Sequence, residues 1–598
     1  MIYYNPLDKK CKSITGGIRQ HEQCVLKIFG DSNEPCHLII KRDGGEAQIL
    51  PLLKTSYGWT VELTMDEPGL FFYYFQFSTC KAGSGKFLNL ELGETVRPYQ
   101  ITVYSSDYYT PDWIKGGIMY QIFPDRFFKS GDIPVASDKY LHKIWTDTPF
   151  FRPDESGKIK NNDFFGGNFN GIRKKLPYLK DLNVTVIYLN PIFKAFSNHR
   201  YDTGNFREVD PLLGTLKDFQ DLVIEAKSFG IRIILDGVFN HTGDDSLYFN
   251  KYGNYPEAGA YQSKESSYFS WYHFADFPDK YDSWWGIDIL PAVNELSSFD
   301  GFITGETGVL RYWMNFGLAG FRLDVADELP SRFLRHIREA VKTADPEGVL
   351  IGEVWEDASN KISYGERRAY LQGNELDSVM NYPLKEAIIQ FMRSKNTDFF
   401  RETVMMLLDH YPKCSLDCLM NILGTHDTSR ILTALSGVLA FDKEQMNSLR
   451  LTPSQYAESL RLLKMASLLQ FTLFGVPSIY YGDETGMEGY SDPFCRKCID
   501  WNHINEELHS HYVRLGHIRN RYTVFKTGDY REIFADEHCI VYERRSEKEV
   551  VCVGVNLGGS RYHLYFTGKM FDLFSGDAVN EATLAPDSYV LFGNLNLE

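Results

Sequence analysis

The sequence predicts an α/β protein: a (β/α)8 TIM barrel with an insertion after its third strand, flanked by amino- and carboxyl-terminal β-sandwich domains. Three observations predict it. Between about 111 and 518, eight short apolar runs alternate with helical patterns, the rhythm of a parallel sheet closed by crossover helices. At 1–110 and 519–598 helical periodicity gives way to short β-branched or aromatic runs between turn signals. At about 242–297 a stretch rich in Tyr, Trp, Asp and Ser interrupts the alternation and reads as the insertion.

The first module follows from CVLKIFG (24–30), CHLIIKR (36–42), WTVELTM (59–65) and LFFYYFQF (70–77), separated by DSNEP, DGGE and DEPG turns. The aromatic fourth run suits a core or a sugar-binding face, with the core reading favoured. In the barrel, IRIILDGV (231–238) is continuously apolar, as a strand covered on both faces must be. The helix before it is announced by Thr215 and Asp218 at capping-box spacing. Phe219, Leu222, Val223, Ala226 and Phe229 fall on one of its faces, and Gly230 sits at its stop. The other strand candidates are GIMYQIFP (117–124), VTVIYLNP (184–191), GFRLDVAD (320–327), GVLIGEVW (348–355), SVMNYP (378–383), MNILGTHD (420–427) and PSIYYGDE (477–484). The last module rests on CIVYERR (539–545), VVCVGVNL (550–557), YHLYFTG (562–568) and SYVLFGNL (588–595).

Composition excludes several classes. With 63 Lys and Arg against 79 Asp and Glu, the net charge is −16 and no basic run exists, so nucleic acid and anionic membranes are poor partners. No uncharged apolar stretch reaches the roughly 18 residues of a membrane span. The opening MIYYNPLDKKCKSITGG lacks the apolar core of a signal peptide, so a cytoplasmic location is expected. The ten cysteines are scattered and expected to be free thiols.

Polar residues gather at the carboxyl ends of the strand candidates: Asn190 after the second, Asp236, Asn240 and His241 after the third, Arg322 and Asp324 on the fourth. Glu353 follows on the fifth, and His426 with Asp427 on the seventh. That end of a barrel carries the active site. A single Asp near an Arg is usually a structural ion pair; four strands delivering carboxylates to one rim are not explained that way. Three carboxylates with Arg and two His, and no nucleophilic Ser or Cys motif, fit glycoside hydrolysis better than acyl or phosphoryl transfer. The 15% aromatic content suits a sugar substrate.

GVFNH (237–241), GFRLDVADE (320–328), GEVW (352–355) and LGTHDTSR (423–430) resemble the four signature regions of the α-amylase superfamily. YLKDLNVTVIYLNPIF (178–193), NHRYDT (198–203) and GVPSIYYGDETGM (475–487) match it in order. WWGIDILPAVN (284–294), DSVMNYPL (377–384) and DPFCR (492–496) look most like its neopullulanase, cyclomaltodextrinase and maltogenic amylase branch. The resemblance spans the chain, since that branch also carries flanking β modules. It implies a retaining α-glucan hydrolase acting on α-1,4 bonds of maltooligosaccharides, cyclodextrins, pullulan or starch, with transglycosylation as a side reaction. Its alternatives are an oligo-α-1,6-glucosidase and a non-catalytic α-glucan-binding relative. Asp324 is implied as nucleophile, held ionised by Arg322, Glu353 as general acid and base, and Asp427 as the group steadying the transition state. Tyr201, Asp236, His241 and His426 are implied around the cleaved sugar, Glu328 and Trp355 on the acceptor side, Asp492 and Arg496 on the donor side. The relatives also imply a homodimer formed through the amino-terminal sandwich.

Two departures stand out. VADE replaces the branch's usual VANE, placing Asp327 where Asn is expected to face the acceptor sugar. The usual calcium loop is poorly matched: FKSGDIPVAS (128–137) offers few of the six to eight oxygens that the ion needs, although FFGGN (164–168) survives. No cofactor is expected to be required, and calcium stays open. AGSGK (82–86) lacks the residues of a phosphate loop and reads as a turn, and CRKC (495–498) is an isolated pair, a weak metal or redox signal.

Overall fold

The computed structural model describes residues 2–155 and 157–595. All eight expected barrel strands form: Met119–Ile122, Val186–Leu189, Arg232–Gly237, Gly320–Leu323, Val349–Gly352, Ser378–Val379, Met420–Ile422 and Val476–Tyr480. Each pairs in parallel with its sequence neighbours, the eighth returning to the first. A bridge between Met380 and Met420 closes the cylinder between the sixth and seventh strands.

Alternation along these strands decides what faces inward. Met119, Val186, Tyr188, Ile234, Val349, Ile351, Met420 and Ile422 form the inner cluster. Their neighbours Tyr120, Ile187, Leu189, Ile233, Leu235 and Leu350 pack outward against the helices. Continued by two residues, the inward rows from Tyr188, Ile234 and Ile351 arrive at Asn190, Asp236 and Glu353. On the fourth strand Phe321 and Leu323 belong to the outer cluster, so Arg322 and Asp324 take the inner row. The polar rim is thus the end of the barrel's own packing pattern.

The helix Leu216–Ser228 carries the expected capping box, with Thr215 and Asp218 each accepting from the other's backbone N–H. Phe219, Leu222, Val223 and Ala226 are its buried residues, and Gly230 supplies the left-handed turn after it, at φ 75°.

The amino-terminal module is a two-sheet sandwich. A seven-stranded sheet faces the three-stranded sheet of Gln23–Phe29, Gly58–Thr64 and Leu53–Thr55. In the aromatic strand Gly69–Phe77, the side chains of Leu70, Tyr73, Phe75 and Phe77 are buried in the core, which is the favoured reading. Residues 82–84 of AGSGK continue the strand Lys81–Ser84, and the turn begins only at Gly85.

The last module is one six-stranded antiparallel sheet, not two separate sheets. Its long strand Tyr562–Asp572 shifts register between Tyr565 and Met570. One face packs on the barrel helices through Ile540 and Tyr542; the other holds a smaller core of Val541, Cys552, Met570, Leu584 and Phe592. The boundary expected at 518–519 falls later, because the helix Glu506–Arg521 and the short turn Val524–Thr527 precede the first strand, Asp529–Ala535.

One buried ion pair ties the first module to the barrel. Lys12 Nζ lies 2.9 Å from Asp409 of the helix Asp398–His410, both side chains fully buried, and also donates to the Gly16 carbonyl. Removing one partner of a buried pair leaves an uncompensated charge. Lys12→Ala is therefore expected to cost about 3–5 kcal/mol in chemical denaturation, while Lys12→Met with Asp409→Leu recovers most of it.

Candidate active site

Arg322 is the hub of the rim. Its Nη1 donates to Asp236 Oδ1 and to Asp324 Oδ1, both at 2.7 Å, and its Nη2 stands 2.8 Å from Glu353 Oε2. Glu353 Oε2 also accepts from the amide of Val325, the residue after Asp324, and Glu353 Oε1 from Trp355 Nε1 at 3.1 Å. The second oxygen of Asp236 accepts from Tyr188 at 2.6 Å and Tyr201 at 2.8 Å. Three buried carboxylates thus share one buried guanidinium. Burial pushes the Asp236 carboxyl up, against Arg322 and the two tyrosines. Burial also pushes Asp324 well up, aided by Glu353 and Asp236 and opposed by Arg322. The sequence expectation is that Arg322 holds Asp324 ionised. Arg322 does pull the Asp324 carboxyl down, but that guanidinium also serves Asp236 and Glu353, and burial with those neighbouring acids leaves Asp324 pushed up. An ionised carboxylate beside a protonated one is what a double displacement at a sugar carbon uses.

Tyr201 joins this cluster, through His426, to a fourth carboxylate, Asp427. Its ring stacks on His426 at 5.2 Å and 6°, and its hydroxyl lies 2.5 Å from His426 Nε2. Gln121 donates to His426 Nδ1 at 2.9 Å, which leaves Nε2 carrying the proton, toward Tyr201 and toward Asp427 Oδ2 at 3.1 Å. Burial, with Arg496 and Arg322, drives the His426 pKa well below its ordinary 6.5, so the ring stays neutral. Asp427 Oδ1 accepts from Arg496 Nη2 at 3.2 Å, Arg496 Nη1 pairs with Asp492 at 2.8 Å, and Arg496 Nε donates to the His426 carbonyl. Cys495 is buried and gives its thiol to that same carbonyl, so CRKC is packing.

His241 is buried, its Nε2 has no hydrogen-bond partner among the described residues, and Trp284 stacks on its ring at 5.2 Å. Trp355 is half-exposed and stacks on Tyr382 at 4.2 Å. Glu328 accepts from Trp285 Nε1 at 3.2 Å and from the Tyr364 hydroxyl. Asp327 does not face the cleft as expected: its carboxylate accepts from Tyr370 at 2.6 Å and pairs with Lys361 at 3.3 Å, and its carbonyl accepts from Ser363. Contacts link Asp236, Arg322, Asp324, Glu353, Trp355, Tyr201, His426, Asp427, Arg496 and Asp492 into one network. His241 packs beside it through Trp284, Glu328 instead holds Trp285 and Tyr364, and Asp327 is taken up by Tyr370 and Lys361. Gln121, Tyr188, Trp285, Tyr364 and Tyr382 escaped sequence reasoning. Parity along the first, second and sixth strands was the available signal for Gln121, Tyr188 and Tyr382, which follows Met380 in the inner row and opens the helix Tyr382–Ser394. Trp285 and Tyr364 sit in loop turns, where no period applies.

The donors near the expected calcium loop do not fit the ion. Lys139 Nζ donates to the Ala195 and Phe196 carbonyls, both at 2.9 Å. The Asp125 carboxylate is taken up by Arg126 and the amides of Phe165 and Gly166. Asn168 caps the helix Phe169–Lys174 and holds the Ser130 carbonyl. Among the described residues no three His, Cys, Asp or Glu side chains group as metal ligands.

A barrel whose carboxyl-terminal rim presents this acid cluster belongs to a known class. The family model for the alpha amylase catalytic domain matches residues 121–286 and 304–524, and the chain belongs to the alpha-amylase family. It is 37% identical over 552 residues to the amylopullulanase of Thermoanaerobacter thermohydrosulfuricus, covering 81% of this chain and 36% of that protein. The chain thus spans about a third of that relative's length. It is 35% identical over 459 residues to the cyclomaltodextrinase of Geobacillus thermopakistaniensis, covering 75% of this chain and 69% of that one. In structure it is similar to the type III pullulan hydrolase from Thermococcus kodakarensis, with a TM-score of 0.70, 24% identity and coverage of 99% of this chain and 100% of that one. No helix among the described residues is long and apolar enough to cross a membrane.

Burial lowers both His199 and His241 from 6.5 to about 4. Folded-state values below the unfolded ones mean that stability is fully present above 6.5 and is lost as pH falls toward 4, because the unfolded chain binds the extra protons. The unfolding midpoint should drop steeply across that window. His241→Asn should flatten the slope by about one proton, roughly 1.4 kcal/mol per pH unit at full effect, read from denaturation at a series of pH values.

Proposed function

We propose that the chain is a retaining α-glucan hydrolase that cleaves α-1,4 bonds in maltooligosaccharides, cyclodextrins, pullulan or starch. The observation carrying this reading is Asp324 and Glu353 held on one guanidinium. That shared pivot suits the roughly 5–5.5 Å spacing of direct attack better than the roughly 6.5–9.5 Å that admits an intervening water. Asp324 attacks the anomeric carbon as Glu353 protonates the leaving oxygen, giving a β-glycosyl ester. Glu353 then takes a proton from water, which displaces Asp324 and restores the α configuration. A sugar hydroxyl in place of water gives transfer. Asp427 and the unpartnered Nε2 of His241 bind hydroxyls of the cleaved glucose, and the Tyr201–His426 stack supports its ring. The names of the relatives, a cyclomaltodextrinase and an amylopullulanase among them, support this substrate class.

Three further parts belong to the same reading. No metal is required, since Lys139 places a built-in cation on the loop carbonyls. The chain works in the cytoplasm, in keeping with ten free cysteines, eight of them buried. Two chains pair through the amino-terminal sandwich, whose Ile49, Leu53 and Tyr57 are largely exposed.

Asp324→Asn should lower turnover by several orders of magnitude with the fold intact by circular dichroism. A product time course on pullulan and β-cyclodextrin with anomeric detection should show α products and panose; maltotriose from pullulan would instead mark α-1,6 cleavage. After dialysis against a chelator, turnover should be unchanged and light scattering should report two chains. Calcium-dependent activity, or a lone 68.9 kDa chain, would overturn the corresponding part.

A further inference from the structure

The barrel and its two flanking modules enclose a cavity of about 750 Å3 where all three meet. The amino-terminal segment supplies Tyr3 and Thr15 to its wall, the barrel supplies Leu408, Leu416 and Phe474, and the last module supplies Gly528 to Glu532. Leu416 and Phe474 come just before the seventh and eighth strands, Met420–Ile422 and Val476–Tyr480, and Leu408 lies on the helix Asp398–His410. The cavity therefore sits at the amino ends of the strands, on the face of the barrel opposite the acid rim.

Ion pairs brace these walls. Lys9 Nζ meets Asp529 at 2.8 Å, from the first module to the last, with both side chains exposed. Glu532 takes Arg401 of the barrel helix through both oxygens, at 2.9 and 2.7 Å. Lys413 pairs with Asp417 and donates to the Thr527 carbonyl at 2.9 Å. Asp8 accepts from the Tyr3 hydroxyl at 3.1 Å and from the Lys10 amide at 2.9 Å. The lining thus carries three acids and three cations, and of these only Arg531 has no side-chain partner among the described residues. The hydroxyls of Thr15 and Tyr530 have none either.

Such a lining selects a ligand chemistry. In a chain of net charge −16, a wall with as many cations as acids, nearly all paired, gives neither a phosphate nor a polycation a counter-charge to meet. What stays unengaged is one guanidinium's N–H donors, two hydroxyls that donate or accept, and the apolar surface of Tyr3, Leu408, Leu416 and Phe474. Donors, acceptors and flat apolar patches together suit a neutral polyhydroxylated ring. The volume falls within the roughly 300–1,000 Å3 of small-molecule sites, which favour domain interfaces. We propose that the junction cavity is a second, non-catalytic saccharide site, which binds a short neutral oligosaccharide and, by bridging three modules, stabilises their docking. Nothing in this site requires a bond to be cleaved, so it stands apart from the hydrolase reading.

Maltotriose is the probe, titrated calorimetrically into full-length Asp324→Asn so that it is not consumed. Two independent binding events per chain are expected, one at the rim and one at the junction. Thr15→Trp, which fills the cavity, should remove one of them, and Arg531→Ala should weaken the same one about tenfold, with the fold intact by circular dichroism. Maltotriose should also raise the melting temperature of Asp324→Asn more than that of the Asp324→Asn, Thr15→Trp double variant. Added inorganic phosphate should displace nothing. Binding that both Thr15→Trp and Arg531→Ala leave unchanged overturns the junction site, and displacement by phosphate overturns its neutral ligand. A single event that Thr15→Trp abolishes supports the junction site and counts against the hydrolase reading instead.

Discussion

The acid cluster at the rim depends on Arg322, the one cation among the described residues that touches Asp236, Asp324 and Glu353 together. A buried carboxylate without a partner is costly enough that it protonates instead. Three around one guanidinium leave more negative than positive charge, which burial answers by pushing the Asp236 and Asp324 carboxyls up and neutral donors answer at the remaining oxygens. Tyr188, Tyr201 and the Val325 amide are those donors. Each fixes an oxygen that Arg322 does not hold alone, so the acids keep their geometry while charge moves among them. The arrangement is therefore preorganised, with each carboxylate oxygen held before any ligand arrives, the condition that electrostatic catalysis needs.

The same shortage of positive charge extends across the cleft. Asp427 and Asp492 share Arg496 as the first three acids share Arg322, which makes five carboxylates to two guanidiniums. Neutral His426 and Tyr201 couple the two groups without adding charge. A pocket left net negative repels an anionic ligand and favours a group that turns cationic as it reacts. Oxocarbenium-like character at a sugar carbon is such a change. Under the proposed hydrolase reading, such electrostatics favour the transition state over the ground state of a neutral saccharide.

How much of this was legible in the sequence follows from what has a period. The eight strands, the capped helix before the third and the inward carboxylates are all consequences of alternation, so apolar runs ending in Asp, Arg or Glu revealed them. The link from Gln121 to His426 was not visible, because it crosses from the first strand to the seventh, about 300 residues away in the chain. The late start of the last module was missed because Glu506–Arg521 carries its helix past the point where the apolar pattern fades. Asp327 was misread for a related reason. A motif gives a residue's place in the chain but not which of two neighbouring loops its side chain joins, and here Lys361 and Tyr370 compete for it successfully.

That competition explains how the hairpin after the fifth strand is held. It pairs over only two residues on each side, too little to persist by its own hydrogen bonds. Its fixity comes from the loop after the fourth strand: Asp327 holds Lys361 and Ser363 at its base, and Arg368 donates to the carbonyls of Asp327 and Leu329. An Asn at 327 would keep a hydrogen bond to Tyr370 but lose the charge that meets Lys361. The departure from VANE to VADE is thus better understood as anchoring a loop than as contacting a sugar. Two acids in sequence divide the work between them, Asp327 fixing the base of the hairpin and Glu328 reaching the ring at its tip.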